Sequence, residues 1–115
     1  MQRGEIRLVD LELVRGAEAD KQRPAVIVSN DGANTAATRL GRGVVTVVPV
    51  TSSTDRVYPF QVLLPASATG LAVDSKAQAE QVRSIAVERI GPRIGLLPTE
   101  LQADLDEALR LHLGL

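Results

Sequence analysis

The chain has no cysteine and no tryptophan, and only one histidine, one tyrosine and one phenylalanine among 115 residues. Without cysteine there are no disulfides, thiolate metal sites or thiol nucleophiles. A lone His112 does not make a histidine-based metal site within one chain. Two aromatics cannot form a platform that stacks several bases, which argues against an RRM or a single-strand-binding OB module. The core must therefore be aliphatic. No apolar run reaches 18 residues and no signal-peptide pattern is present, so a cytoplasmic location is expected.

The remaining composition is ordinary for a globular protein, with 44% hydrophobic and 23% charged residues. At this length a single domain over residues 1–115 is expected. The net charge of −1 hides an asymmetry. Residues 98–115 carry four carboxylates against Arg110 alone, a net of −3, which leaves 12 basic and 10 acidic groups, or +2, in residues 1–97. A mildly cationic body suits a local contact with a polyanion, not bulk nucleic-acid binding.

Residues 5–13 alternate like a strand, but the phase slips between Leu8 and Val9. A bulge, or burial of both faces, would explain the slip. Residues 14–22 form a polar loop. Pro24 to Val28 is continuously apolar, which suggests a buried strand. Ser29-Asn30-Asp31-Gly32 is turn chemistry, and Ala33 to Leu40 suits a short helix. Val44 to Val48 and Phe60 to Leu64 are strands, separated by a polar loop over 51–58. Propensity alone makes Lys76 to Ile90 a helix, ended by Gly91-Pro92. A last helix follows, with Thr99 as cap, Gln102 reaching back, a stripe of Leu101, Leu105, Ala108 and Leu109, and Gly114 as stop. This order predicts a mainly β, α+β domain: a small, strongly curved antiparallel barrel with a short inserted helix and a C-terminal helix.

Two stretches carry the chemistry. In Lys21-Gln22-Arg23-Pro24-Ala25-Val26 an arginine stands directly before a proline at the mouth of a strand. In Pro49-Val50-Thr51-Ser52-Ser53 a strand ends in a cluster of hydroxyls. A fixed guanidinium and a fixed alcohol on rigid strand ends are suited to holding phosphate.

In order along the chain, Arg3-Gly4-Glu5-Ile6, Gly16-Ala17-Glu18…Arg23-Pro24-Ala25-Val26, Pro49-Val50-Thr51, Tyr58-Pro59-Phe60-Gln61-Val62 and Glu80-Gln81-Val82-Arg83-Ser84-Ile85 resemble the MazF/PemK family of toxin endoribonucleases. No segment is specific alone; the ordered set is. The resemblance implies an SH3-like barrel working as a homodimer. It implies metal-independent, cofactor-free cleavage of single-stranded RNA at short sequence motifs, leaving a 2′,3′-cyclic phosphate and a 5′-hydroxyl. It also implies neutralisation by a cognate MazE-like antitoxin with an acidic C-terminal tail. It puts residues 76–85 in a strand, against propensity, and we follow it because a barrel needs that strand. Gln22 stands where some members have a histidine beside the arginine, so a histidine proton shuttle is not implied.

On this basis the candidate catalytic residues are Arg23, gripping the scissile phosphate; Thr51, donating to a non-bridging oxygen; and Glu18, orienting Arg23 or assisting proton transfer from the 2′-hydroxyl. The plain alternatives are a surface arginine, a turn hydroxyl and a solvated loop carboxylate. Candidate RNA contacts are Lys21 and Arg56 to phosphate, and Asn30, Ser52 and Gln81 to base edges; each also suits a turn, a ladder or a solvated charge. Arg83 fits either the groove or the dimer seam. A rival is a CcdB-like gyrase poison with the same fold and no nuclease activity, which would not require the Arg23/Thr51 pair. A non-catalytic SH3-like adaptor for Pro-rich peptides lacks the aromatics its groove needs.

Overall fold

The structure, a computed structural model, describes residues 1–11 and 22–115. Its elements run β1 (Glu5–Asp10), β2 (Gln22–Ile27), α1 (Asp31–Leu40), β3 (Val44–Thr51), β4 (Gln61–Leu64), α2 (Ala66–Thr69), β5 (Ser75–Gln78), β6 (Arg83–Ala86), β7 (Ile90–Leu96) and α3 (Thr99–Leu113). The strands pair antiparallel along the path β4-β5-β3-β2-β1-β7, with β6 also on β3. No pairing joins β4 to β7 among the described residues, so the curved sheet remains open instead of closing as a barrel. No helix is long and apolar enough to cross a membrane among the described residues.

β3 is the hub. On one flank Val47–Pro49 pair with β2. On the other, Val44–Val47 pair with β6 and Val50–Thr51 with β5. Pro49 stands at this changeover, and it has no N–H to offer a ladder. The valines of β3 divide between two cores. Val48 and Val50 join Ile6, Val26, Leu64 and Leu97 beneath α3. Val45 and Val47 join Val9, Leu11, Ala25, Ile27 and Ile85 beneath α1. Burial on both faces explains the unbroken apolar run of β2 and the parity change along β1. Register shifts between β1 and β7 at Arg7 add the expected irregularity.

The helices match their sequence signals with one exception. The Asn30 side chain accepts from Ala33 N–H at 2.8 Å and caps α1. Leu105 and Ala108 bury α3 against the sheet, with Leu101 and Leu109 at the margin. Gly114 ends α3 in the left-handed region at φ 73°. Its N-cap, however, is Pro98 and not Thr99, and no side chain caps the first turn. Gln102 does reach back, but donates its Nε2–H to the Leu97 carbonyl at 3.0 Å.

Residues 76–90 are not a helix. Two short strands, β5 and β6, flank a 3₁₀ turn over Ala79–Gln81. Pairing with β3 and β4 outweighs the local preference of Ala, Gln and Glu for helix. Nor does Gly91-Pro92 end an element: both lie within β7, a sheet edge where proline is tolerated. β1 stops at Asp10, with Leu11 buried beyond it. The expectations for residues 12–21 lie outside the described residues.

One close approach fixes the segment after α2. A Cβ on Gly95 of β7 would collide with the Thr69 carbonyl. Gly95→Ala is therefore expected to lower stability by about 1–3 kcal/mol through overpacking, measured by chemical denaturation. An unchanged midpoint would show that the two segments can part without cost.

Candidate functional site

Arg23 is the second residue of β2 and Thr51 the last of β3. Each lies two residues beyond Ala25↔Pro49, the last pair joining those strands. At this end a cleft of about 430 Å³ opens, and both residues line it, with Pro24, Val50 and Ser52. The two segments singled out from sequence thus meet in one place.

Their surroundings favour an anion. Arg23 is exposed, and its guanidinium makes no hydrogen bond or ion pair among the described residues, so its donors face the cleft or solvent. Pro24 holds the preceding backbone extended, which narrows the directions Arg23 can take. Pro24 pairs with Leu8 of β1 but stands beyond the last β3 pair, where its missing N–H interrupts nothing. Thr51 is half-buried, and its Oγ1 accepts from Ser53 N–H at 3.2 Å. That bond uses one lone pair and leaves the hydroxyl hydrogen free to donate. The turn role and the donor role are therefore compatible.

The opposite wall is apolar: Leu71, Ala72 and Val73, with Ser75 beside them. Leu71 is rooted in the core under α3. Thr69 Oγ1 accepts from Leu71 N–H at 3.3 Å and donates to the Pro65 carbonyl at 2.8 Å. Asp74 Oδ1 accepts from Ala66 N–H at 2.8 Å, and Ser75 Oγ–H donates to the Val73 carbonyl at 2.9 Å. Sequence reading missed this wall. Its only signals are Gly70 and Asp74 bracketing three apolar residues, too few to show a period.

The other candidates divide. Ser52 lines the cleft, exposed. Asn30 does not: it caps α1 beyond the far end of β2, so the turn reading holds. Gln81 lies exposed in the 3₁₀ turn and Arg83 exposed on β6, paired with Val47; neither lines the cleft. Arg56 lies outside it too, in the loop after β3, where Nη1–H donates to the Tyr58 hydroxyl at 3.3 Å. His112 is exposed in the last turn of α3. Glu18 and Lys21 fall outside the described residues. Among the described residues no three His, Cys, Asp or Glu side chains gather as a metal-binding group.

One cation and one free hydroxyl over an aliphatic wall can grip a phosphodiester and exclude water from one side of it. The chain is similar to known proteins over nearly its whole length. Residues 2–113 match the family model described as PemK-like, MazF-like toxin of type II toxin–antitoxin system. Endoribonuclease MazF9 of Mycobacterium tuberculosis (strain ATCC 25618 / H37Rv) is 66% identical over 115 residues, spanning all of this chain and 98% of that one. Endoribonuclease EndoA of Bacillus subtilis (strain 168) is 30% identical over 116 residues, spanning all of this chain and 96% of that one. The toxin in a MazE–MazF crystal structure from Deinococcus radiodurans superposes with a TM-score of 0.77 at 25% identity, covering all of this chain and 97% of that one. With its open antiparallel sheet, its paired strand ends and a match over nearly its whole length, the chain belongs to the PemK-like, MazF-like toxins of type II toxin–antitoxin systems.

Proposed function

We propose that this toxin endoribonuclease cuts single-stranded RNA by using the substrate's own 2′-hydroxyl as nucleophile. The 2′ oxygen attacks the adjacent phosphorus, the bond from phosphorus to the 5′ oxygen breaks, and a 2′,3′-cyclic phosphate and a 5′-hydroxyl result. Arg23 grips the phosphate and offsets charge as it builds on the pentacoordinate phosphorus. Thr51 donates its free hydrogen to a non-bridging oxygen and holds the linkage in line for attack. Glu18 takes part in moving the 2′-hydroxyl proton, a role resting on the family resemblance. The meeting of Arg23 and Thr51 in one cleft is the observation that carries this reading, and a gyrase poison would not require it.

The protein works as a homodimer in the cytoplasm, restrained by a cognate antitoxin. Support for the antitoxin comes from the Deinococcus radiodurans relative, solved as a MazE–MazF pair. An acidic antitoxin tail would complement Arg23 and the net positive charge of residues 1–97. Support for the dimer comes from exposed Leu63, Leu111, Leu113 and Leu115, an apolar surface that a second copy would cover.

Arg23→Ala is expected to reduce single-turnover cleavage by at least roughly 10²–10³-fold, the usual loss for a donor facing transition-state charge, while the circular dichroism spectrum stays native. Full activity in that variant would remove Arg23 from the mechanism. At position 51, Thr51→Ser should keep far more activity than Thr51→Val, which preserves shape without a hydroxyl. Equal rates would show that the alcohol is not the operative group. The rate should be the same in EDTA, and 5′ labelling should require no prior phosphatase step; loss of activity on chelation would contradict attack by the 2′-hydroxyl without a metal.

A further inference from the structure

The chain's two aromatic residues are stacked on each other, one strand away from the cleft. The Tyr58 and Phe60 rings lie 5.3 Å apart at their centroids and 1° from parallel. Two cations face the Tyr58 ring, the Arg56 guanidinium at 5.7 Å and the Lys76 ammonium at 5.9 Å. We propose that Tyr58, backed by Phe60, is a stacking platform for one nucleobase of the bound RNA, close to the linkage held by Arg23 and Thr51. The inference rests on the RNA-cleaving reading above and adds a base-binding subsite to it.

Three observations carry it. The platform is preorganised: Gln61 N–H donates to the Tyr58 carbonyl at 2.8 Å across a turn that contains Pro59, and Tyr58 N–H donates to Gln61 Oε1 at 3.2 Å. Gln61 is itself buried and anchored, its Nε2–H donating to Glu80 at 2.7 Å. The platform is also accessible, since Tyr58 is 41% exposed. The Arg56 guanidinium over it is exposed and, among the described residues, held only by a long hydrogen bond and a cation–π contact, both weak at a surface. A base can displace the guanidinium, which then meets the neighbouring phosphate.

The third observation is continuity with the cleft. Lys76 pairs directly with Thr51, so both side chains leave the same face of the sheet. Lys76 is buried, with its Nζ–H donating to the Arg56 carbonyl at 2.6 Å. Thr51, Lys76 and Tyr58 therefore form one continuous run from hydroxyl to cation to ring. A phosphate on Thr51 leaves the adjacent nucleotide's charge near Lys76 and its base near Tyr58. One ring pair serves one base, consistent with the scarcity of aromatics elsewhere.

The test uses the full-length protein and an RNA oligonucleotide that it cuts. For binding, the oligonucleotide carries 2′-O-methyl groups, so the nucleophile is blocked. Tyr58 is the only tyrosine, so ring-labelled tyrosine gives one set of NMR signals, expected to move upfield on binding through the current of the stacked base. In cleavage, Tyr58→Phe should resemble wild type, whereas Tyr58→Ala should lose roughly tenfold to hundredfold in kcat/KM. Placing an abasic site at the stacked position should cost the wild type that same factor and cost Tyr58→Ala little more. Binding that shifts backbone signals around Arg23 and Thr51 while the Tyr58 ring stays unmoved would overturn the platform and leave the nuclease reading intact. The platform is likewise overturned if Tyr58→Ala loses equally on abasic and intact RNA. If the oligonucleotide shifts no signals and the unmodified RNA is not cut, the nuclease reading fails and the platform with it.

Discussion

A strand that must satisfy three neighbours governs this structure. β3 holds β2 on one flank while it exchanges β6 for β5 on the other. Because its alternate side chains enter separate cores, a slip of one residue would expel valines from both at once. Each fully buried valine or isoleucine there contributes on the order of 1.5–3 kcal/mol, so the register is strongly fixed. Thr51 inherits that precision. Its position is set by an aliphatic ladder to which the hydroxyl itself contributes nothing.

The N-terminus completes the frame. Gly4 takes φ 93° and packs its bare Cα against the Gln102 side chain, while its N–H and C=O bond to Ile27 and Leu97. Arg3 donates to the Val28 carbonyl and pairs with Asp106 of α3 at 2.7 Å. Glu5, nearly buried, accepts from Gln2 N–H at 2.9 Å and Arg7 at 3.0 Å. Residues 3–5 thus tie the far end of β2 to α3 and β7. The half-exposed Arg3–Asp106 pair adds little energy alone; its geometry matters more, because it orients α3 over the core from which Leu71 reaches the cleft wall.

What the sequence disclosed followed from the range of the forces involved. The buried β2, the strand β3, a short helix near α1 and the apolar stripe of α3 are encoded by neighbouring residues, and were legible. So was the association of Arg23 with Thr51, because ordered family motifs placed both. β5 and β6 were hidden from local propensity, since their helix-favouring side chains are overruled by partners far along the chain; the family resemblance placed a strand over 76–85, which the structure divides into two around a 3₁₀ turn. β7 was hidden by Gly91-Pro92, whose turn chemistry is harmless at a sheet edge. Asn30 shows the opposite limit: an amide that can contact a base is equally an amide that caps a helix, and only coordinates separate the two. The aliphatic wall over Leu71–Val73 gave no signal, because its contribution is shape.

The pairing of Glu5 with Leu96 has a temporal consequence. β1 is made before its outer neighbour β7, and all the other strands of the sheet lie between them in the chain. β1 must wait, half-matched, until the chain has been made as far as β7, and such distant closures are the slow ones. Until β7 exists, a nascent chain still tethered to RNA cannot hold the mature shape of an enzyme that cuts it.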